Sequence, residues 1–143
     1  MEVTTALLAD AAAIAAGKLY IHGAGWDQIG VQRLPSAHPA MAVVIVIRVE
    51  FNEALRPIPL NVVLLSEDEE PMGVEAGLEL AVGHPPTQTH GAPTFAPLVI
   101  PLSNVQFERA GRYRFRVASG DRELASIPFE VSVAPRPPAP PTG

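Results

Sequence analysis

The chain is predicted to fold as an all-β, antiparallel two-sheet β-sandwich, immunoglobulin-like or related, with about eight strands and a proline-rich C-terminal tail. Three observations carry this expectation. From Arg112 the residues alternate, Tyr113, Phe115 and Val117 on one side and Arg112, Arg114 and Arg116 on the other, which is the period of a half-buried strand. After Ser119-Gly120-Asp121 the alternation resumes, with Ile127, Phe129, Val131 and Val133 against Pro128, Glu130 and Ser132, so the two runs read as an antiparallel hairpin. Similar short runs recur along the rest of the chain, in the number that a two-sheet sandwich needs. Placing Phe115 and Phe129 on one face makes facing residues sum to an even number. That suits an odd-numbered loop around Gly120, or a bulge, rather than a tight two-residue turn.

With 143 residues, 48% of them hydrophobic and 17% charged, the chain has the composition of a packed protein rather than a disordered one. The expected organisation is a single sandwich domain over 1–133 and an extended or disordered tail over 134–143. A formal charge of -5 argues against nucleic acid or an anionic membrane as the partner, since both reward a basic surface. The absence of cysteine excludes disulfides, thiolate metal sites and a cysteine nucleophile. MEVTTALLAD lacks a basic leader and meets Asp10 inside its apolar run, so it makes a poor signal peptide and the expected compartment is the cytoplasm. No apolar run approaches the ~20 residues of a spanning helix.

Taken in order, residues Thr4–Ala16 are Ala-rich and helical by propensity alone. The alternating Leu19 and Ile21 that follow are strand-like, and favour Val3–Ala9 as their partner with Asp10–Ala16 as the connection. Trp26–Leu34 reads as a bend and a short strand, with Trp26 a core or lid residue. The run from Ala40 to Leu65 reads as a second hairpin whose facing residues sum to 109, pairing Ile45 with Leu64, Ile47 with Val62 and Val49 with Leu60. That register puts Val44, Val46, Val63 and Leu65 together on the opposite face, where an antiparallel sheet usually carries polar residues. Ser66–Pro71 is an acidic turn, Met72–Val82 an alternating strand and Gly83–Pro93 a loop of turn formers. Phe95–Leu102, interrupted by Pro97 and Pro101, belongs at a sheet edge.

The segments LLAD, GKLYIHGAGWDQI, LPSAHPAMAVVIVIRV and AGRYRFRV together resemble a family of small uncharacterised proteins, common in actinobacterial genomes and known only as a domain of unknown function. The resemblance spans most of Leu7 to Val133. It implies a β-sandwich and tips the N-terminal segment toward strand, and it brings no activity with it.

Motifs for chemistry are sparse. His84 and His90 share a loop, but six residues apart and without a third ligand they lack the spacing of a zinc motif. Glu67-Asp68-Glu69-Glu70 lacks the alternating ligands and the glycine of a calcium loop and reads as a solvated turn. There is no nucleophile elbow and no phosphate loop. The row Arg112, Arg114, Arg116 is an outward strip of planar donors, a candidate contact for an anion or a partner; its structural counterpart is pairing with Glu130, Glu75 and Glu79. The tail spaces Pro137 and Pro140 as P-x-x-P, a spacing that fits aromatic grooves.

The expected function is therefore non-enzymatic: a sandwich with no cofactor that acts through protein-protein contacts, as a homo-oligomer or with a protein partner. The candidate interface is Val44, Val46, Val63 and Leu65, since contiguous apolar patches are uncommon on monomers. The alternative is a sandwich that binds a small ligand or a metal in end loops around Trp26, His84 and His90.

Overall fold

A computed structural model describes residues 1–134, so the tail, Ala134 apart, and with it the P-x-x-P spacing, lies outside the described residues. Within them nine strands follow in order: β1 (Glu2–Ala15), β2 (Lys18–Ala24), β3 (Gln28–Val31), β4 (Ser36–Val49), β5 (Ile58–Ser66), β6 (Pro71–Leu80), β7 (Thr94–Phe107), β8 (Gly111–Ser119) and β9 (Arg122–Val133). They form a four-stranded sheet, β2-β1-β4-β7, and a five-stranded sheet, β3-β9-β8-β5-β6. All neighbours are antiparallel except β3 and β9, which run parallel. Among the described residues no helix is long and apolar enough to cross a membrane.

The β8–β9 hairpin has the even register that its aromatic face demands, with Tyr113 opposite Phe129 and Phe115 opposite Ile127. Both a bulge beyond Val117 and a two-residue turn, Ser119 facing Arg122, produce it. The bulge absorbs the odd residue, which leaves the loop free to be tight after all, and Gly120 supplies the positive φ of 58° that such turns need. At the entry to β8 the Tyr113 hydroxyl donates to the Arg109 carbonyl at 2.6 Å, a corner that pins the incoming chain to the sandwich end.

The second expected hairpin does not form. β4 pairs with β1 and β7, while β5 pairs with β6 and β8, so Ile45 and Leu64 lie in opposing sheets rather than side by side. The eight residues Glu50–Pro57 carry the chain across. Phe51–Glu53 makes a 3-10 turn held by a capping box between Glu50 and Glu53. Leu55 then adopts φ 69° and donates its N–H to the Val82 carbonyl at 2.8 Å. The inward residues are nonetheless the expected ones. Tyr113, Phe115, Val117, Phe129 and Val131 share one core with Ile45, Ile47, Leu60, Val62 and Leu64, because strand parity sets which face a residue occupies whatever its partner. Val133 departs from this: at the end of β9 it is 50% exposed.

The N-terminal segment is strand throughout, and Asp10–Ala15, expected as a connection, pairs with β2 across a turn at Ala16-Gly17 with φ 51° and 73°. β7 is an edge strand as its prolines require. Pro97 and Pro101, four residues apart, turn their missing N–H to the same side, and the intact ladder with β4 makes that side the open edge.

Candidate functional site

Val44, Val46, Val63 and Leu65 do not share a surface. Val44 and Val46 lie on the outer side of the four-stranded sheet and Val63 and Leu65 on the outer side of the other, a sandwich thickness away, and Val44 (0% exposed) and Leu65 (8%) are already buried by the protein's own chain. Val63 sits between Glu75 and Arg116 and Leu65 between Pro71 and Arg114, in a setting where arginine stems cover aliphatic neighbours while their charged heads stay wet. The apolar pair and the arginine row, two separate features in the sequence, are thus adjacent strands of one face.

The arginine row is engaged by carboxylates, though not the expected ones. Arg114 holds Glu69 in a forked arrangement, Nε at 3.0 Å and Nη2 at 2.8 Å, and reaches Glu123 through Nη1 at 2.7 Å. Arg116 Nε lies 3.2 Å from Glu123. Hydrogen bonds from Arg114 hold the Glu69 carboxyl below the usual carboxylate range, and Glu69 and Glu123 in turn push the Arg114 guanidinium up. Glu75 accepts instead from Asn61 at 2.7 Å. Arg112 stands opposite Glu130 in register and makes no ion pair among the described residues.

Nor do Trp26, His84 and His90 converge. Trp26 packs near His38, ring centroids 6.1 Å apart, toward the start of β4. His84 stacks on Phe51 at 4.0 Å, with His90 edge-on to the same ring at 4.5 Å, just past the end of β4. The Nε2 of His84 is taken up by the Phe51 carbonyl at 2.9 Å. The expected site is therefore two places at opposite ends of a fourteen-residue strand. Among the described residues no three His, Asp or Glu side chains group as metal ligands.

What sequence reasoning missed is the shape of the N-terminal hairpin. Ala9 pairs with both Ala42 of β4 and Ala24 of β2; beyond it β1 keeps only β2 as a partner. Residues 10–24 therefore leave the sheet as a two-stranded arm. Leu8 is fully buried in the core, so by parity Ala12 and Ile14, with Leu19 and Ile21 opposite, continue the core-facing side past the point where the sandwich ends. Ala11, Ala13, Tyr20 and His22 form the arm's other face. Ile14 is 44%, Tyr20 52% and Ile21 36% exposed. At the root, Gly23 adopts φ 62°, and any side chain there would collide with the Asp10 carboxylate. The arm's other face runs on into an apolar row on the sheet, Leu7, Val44 and Val99, with Phe95 57% exposed beyond it. The available signal was one strand-like run directly after Ala16-Gly17, and Ala-Gly is a weak hairpin signal beside Asn-Gly.

Residues 4–132 match the model of a family of unknown function, DUF6941, and the chain belongs to that family. No protein with a curated description matches it in sequence.

Proposed function

We propose that this chain is a non-enzymatic protein-protein interaction domain whose contact element is the β1–β2 arm. The observation that carries the proposal is the exposure of Ile14, Tyr20 and Ile21 on a ribbon that leaves the sandwich at Ala9. Contiguous exposed apolar surface marks interaction sites, and Ile14, Leu19 and Ile21 adjoin on one face of the ribbon, with Tyr20 on the other. The course of the chain supports reading the scaffold as immunoglobulin-like. β9-β8-β5-β6 faces β1-β4-β7, β3 crosses over to run parallel to β9, and the tyrosine corner opens β8. Such sandwiches host unrelated functions, so the reading rests on the arm and not on the fold. A charge of -5 favours an apolar contact over a phosphate-bearing partner.

The test is site-specific photo-crosslinking in cells that produce the protein, with benzoylphenylalanine in place of Tyr20 and, as a control, of Arg116 on the salt-bridged face. The expected result is a discrete polypeptide adduct from position 20 and none from position 116. No adduct at position 20, or the same adducts at both, overturns the proposal.

A further inference from the structure

We infer that the outer edge of β2 pairs antiparallel with β2 of a second copy of the chain, joining two arms into a four-stranded ribbon; this rests on the arm being a contact element. Among the described residues the two sheets have four edges, and three of them carry devices that block pairing. β7 turns Pro97 and Pro101 to its open side. β6 begins with Pro71 and carries Glu75 and Glu79. β3 is only four residues long. β2, Lys18–Ala24, is seven residues with no proline and a single charged group, Lys18; its one positive-φ residue, Gly23, stands next to its end, and the strand lies at the far side of the arm.

Its hydrogen-bonding groups can be placed. Residues flanking a two-residue hairpin turn exchange both of their backbone bonds, and bonded pairs alternate along the ladder. Ala15 and Lys18 flank the turn, so Lys18, Tyr20 and His22 spend their backbone groups on β1. Leu19 and Ile21 point theirs outward, to the open edge.

The sequence of that edge is complementary to itself. Antiparallel pairing centred on Ile21 sets Ile21 against its copy, Leu19 against Gly23, Tyr20 against His22 and Lys18 against Ala24. The aromatic rings meet on one face and the long leucine side chain meets the residue with none. The two lysines end at opposite ends of the ribbon, so no like charges face each other.

A lone two-stranded hairpin is marginal in water, whereas three or more strands with an apolar face are stable, and pairing turns the first into the second. The edge contact buries on the order of 400 Å² per copy, about half of a standard interface, so the dimer forms in a weak, concentration-dependent equilibrium.

Sedimentation velocity of the purified chain from micromolar to millimolar concentration tests this beside Ile21→Pro, which removes an outward N–H while leaving the β1 ladder its bonds. Leu19→Lys, which puts a charge beside the seam, is the second variant. The expected result is a monomer–dimer equilibrium weakened at least tenfold in both variants. In the wild type, amide exchange at Leu19 and Ile21 slows as concentration rises while that at Tyr20 and His22 does not change. A monomer at every concentration, or a dimer unaffected by either substitution, overturns the inference. If the purified chain is monomeric while position 20 crosslinks a different polypeptide in cells, the second copy is excluded and the arm remains a contact element.

Discussion

Glu69 shows how a residue that looks free in sequence is committed in the fold. It sits in the left-handed region at φ 62°, in a turn closed by its own N–H to the Ser66 carbonyl and by Ser66 N–H to the Glu70 carbonyl, each at 2.9 Å. That conformation is uncommon for a residue with a side chain, and here it accompanies the fork to Arg114. Because the Arg114 hydrogen bonds depress its pKa, Glu69 contributes stability that is present above the ordinary carboxylate value and lost as pH falls through the depressed one. Glu69→Gln should therefore be less stable than the wild type at neutral pH. Its unfolding midpoint should fall less between about pH 5 and pH 3, the two curves meeting in acid. The carboxylate is exposed, so the difference is small; parallel curves in thermal melts across that range would show that Glu69 has no such part. The acidic turn was legible as a turn. That one of its four carboxylates is forked by Arg114, forty-five residues on, was not, because composition carries no distance.

At the level of elements, alternation identified β6 and β8 almost to their ends and β9 from Ile127 onward, since each has one wet and one dry face, whereas β5 was found from its apolar run. The β1–β2 arm was illegible for the same reason reversed. Ala11 to Ala16 is alanine but for Ile14, which gives no period of either kind, and only Leu19 and Ile21 keep a strand rhythm. The arm depends on Gly23, which meets two demands at once: a positive φ, and room for the Asp10 carboxylate. Gly23→Val violates both, and strain at a left-handed position alone costs about 1–3 kcal/mol. The predicted outcome is local. Limited proteolysis should cut Gly23→Val within residues 10–24 faster than the wild type, while the near-ultraviolet signal of the Phe115, Phe129 and Tyr113 stack is kept, because the arm lies outside that core. Equal cleavage rates would mean that the root is not what holds the arm in place.

For the molecule as a whole, the sequence specified which residues are inside far better than which residues are neighbours. A sum of 109 for β4 and β5 puts Ile45, Ile47 and Val49 on the same side as Leu64, Val62 and Leu60, and so does a sandwich in which the two strands face one another from different sheets. The burial pattern is the same in both arrangements; only the connection differs, and the 3-10 turn at Phe51–Glu53 with Leu55 tied to Val82 is not visible as a motif. The difference moves Val44 and Val46 from a shared patch with Val63 and Leu65 to the opposite outer surface. The chain has no cysteine, so paired cysteines can distinguish the arrangements against a clean background. Facing sheets stand about 10 Å apart, beyond the roughly 7 Å Cα separation that a disulfide spans, whereas strands opposite each other within a sheet are about 5 Å apart. Ile45→Cys with Leu64→Cys should therefore retain two free thiols after mild oxidation of the folded protein. Leu7→Cys with Val44→Cys, opposite one another on β1 and β4, should cross-link under the same conditions. A disulfide in the first pair together with free thiols in the second would return β4 and β5 to one hairpin. The four apolar residues would then lie on one face again, and the argument for the arm as the contact element would lose its footing.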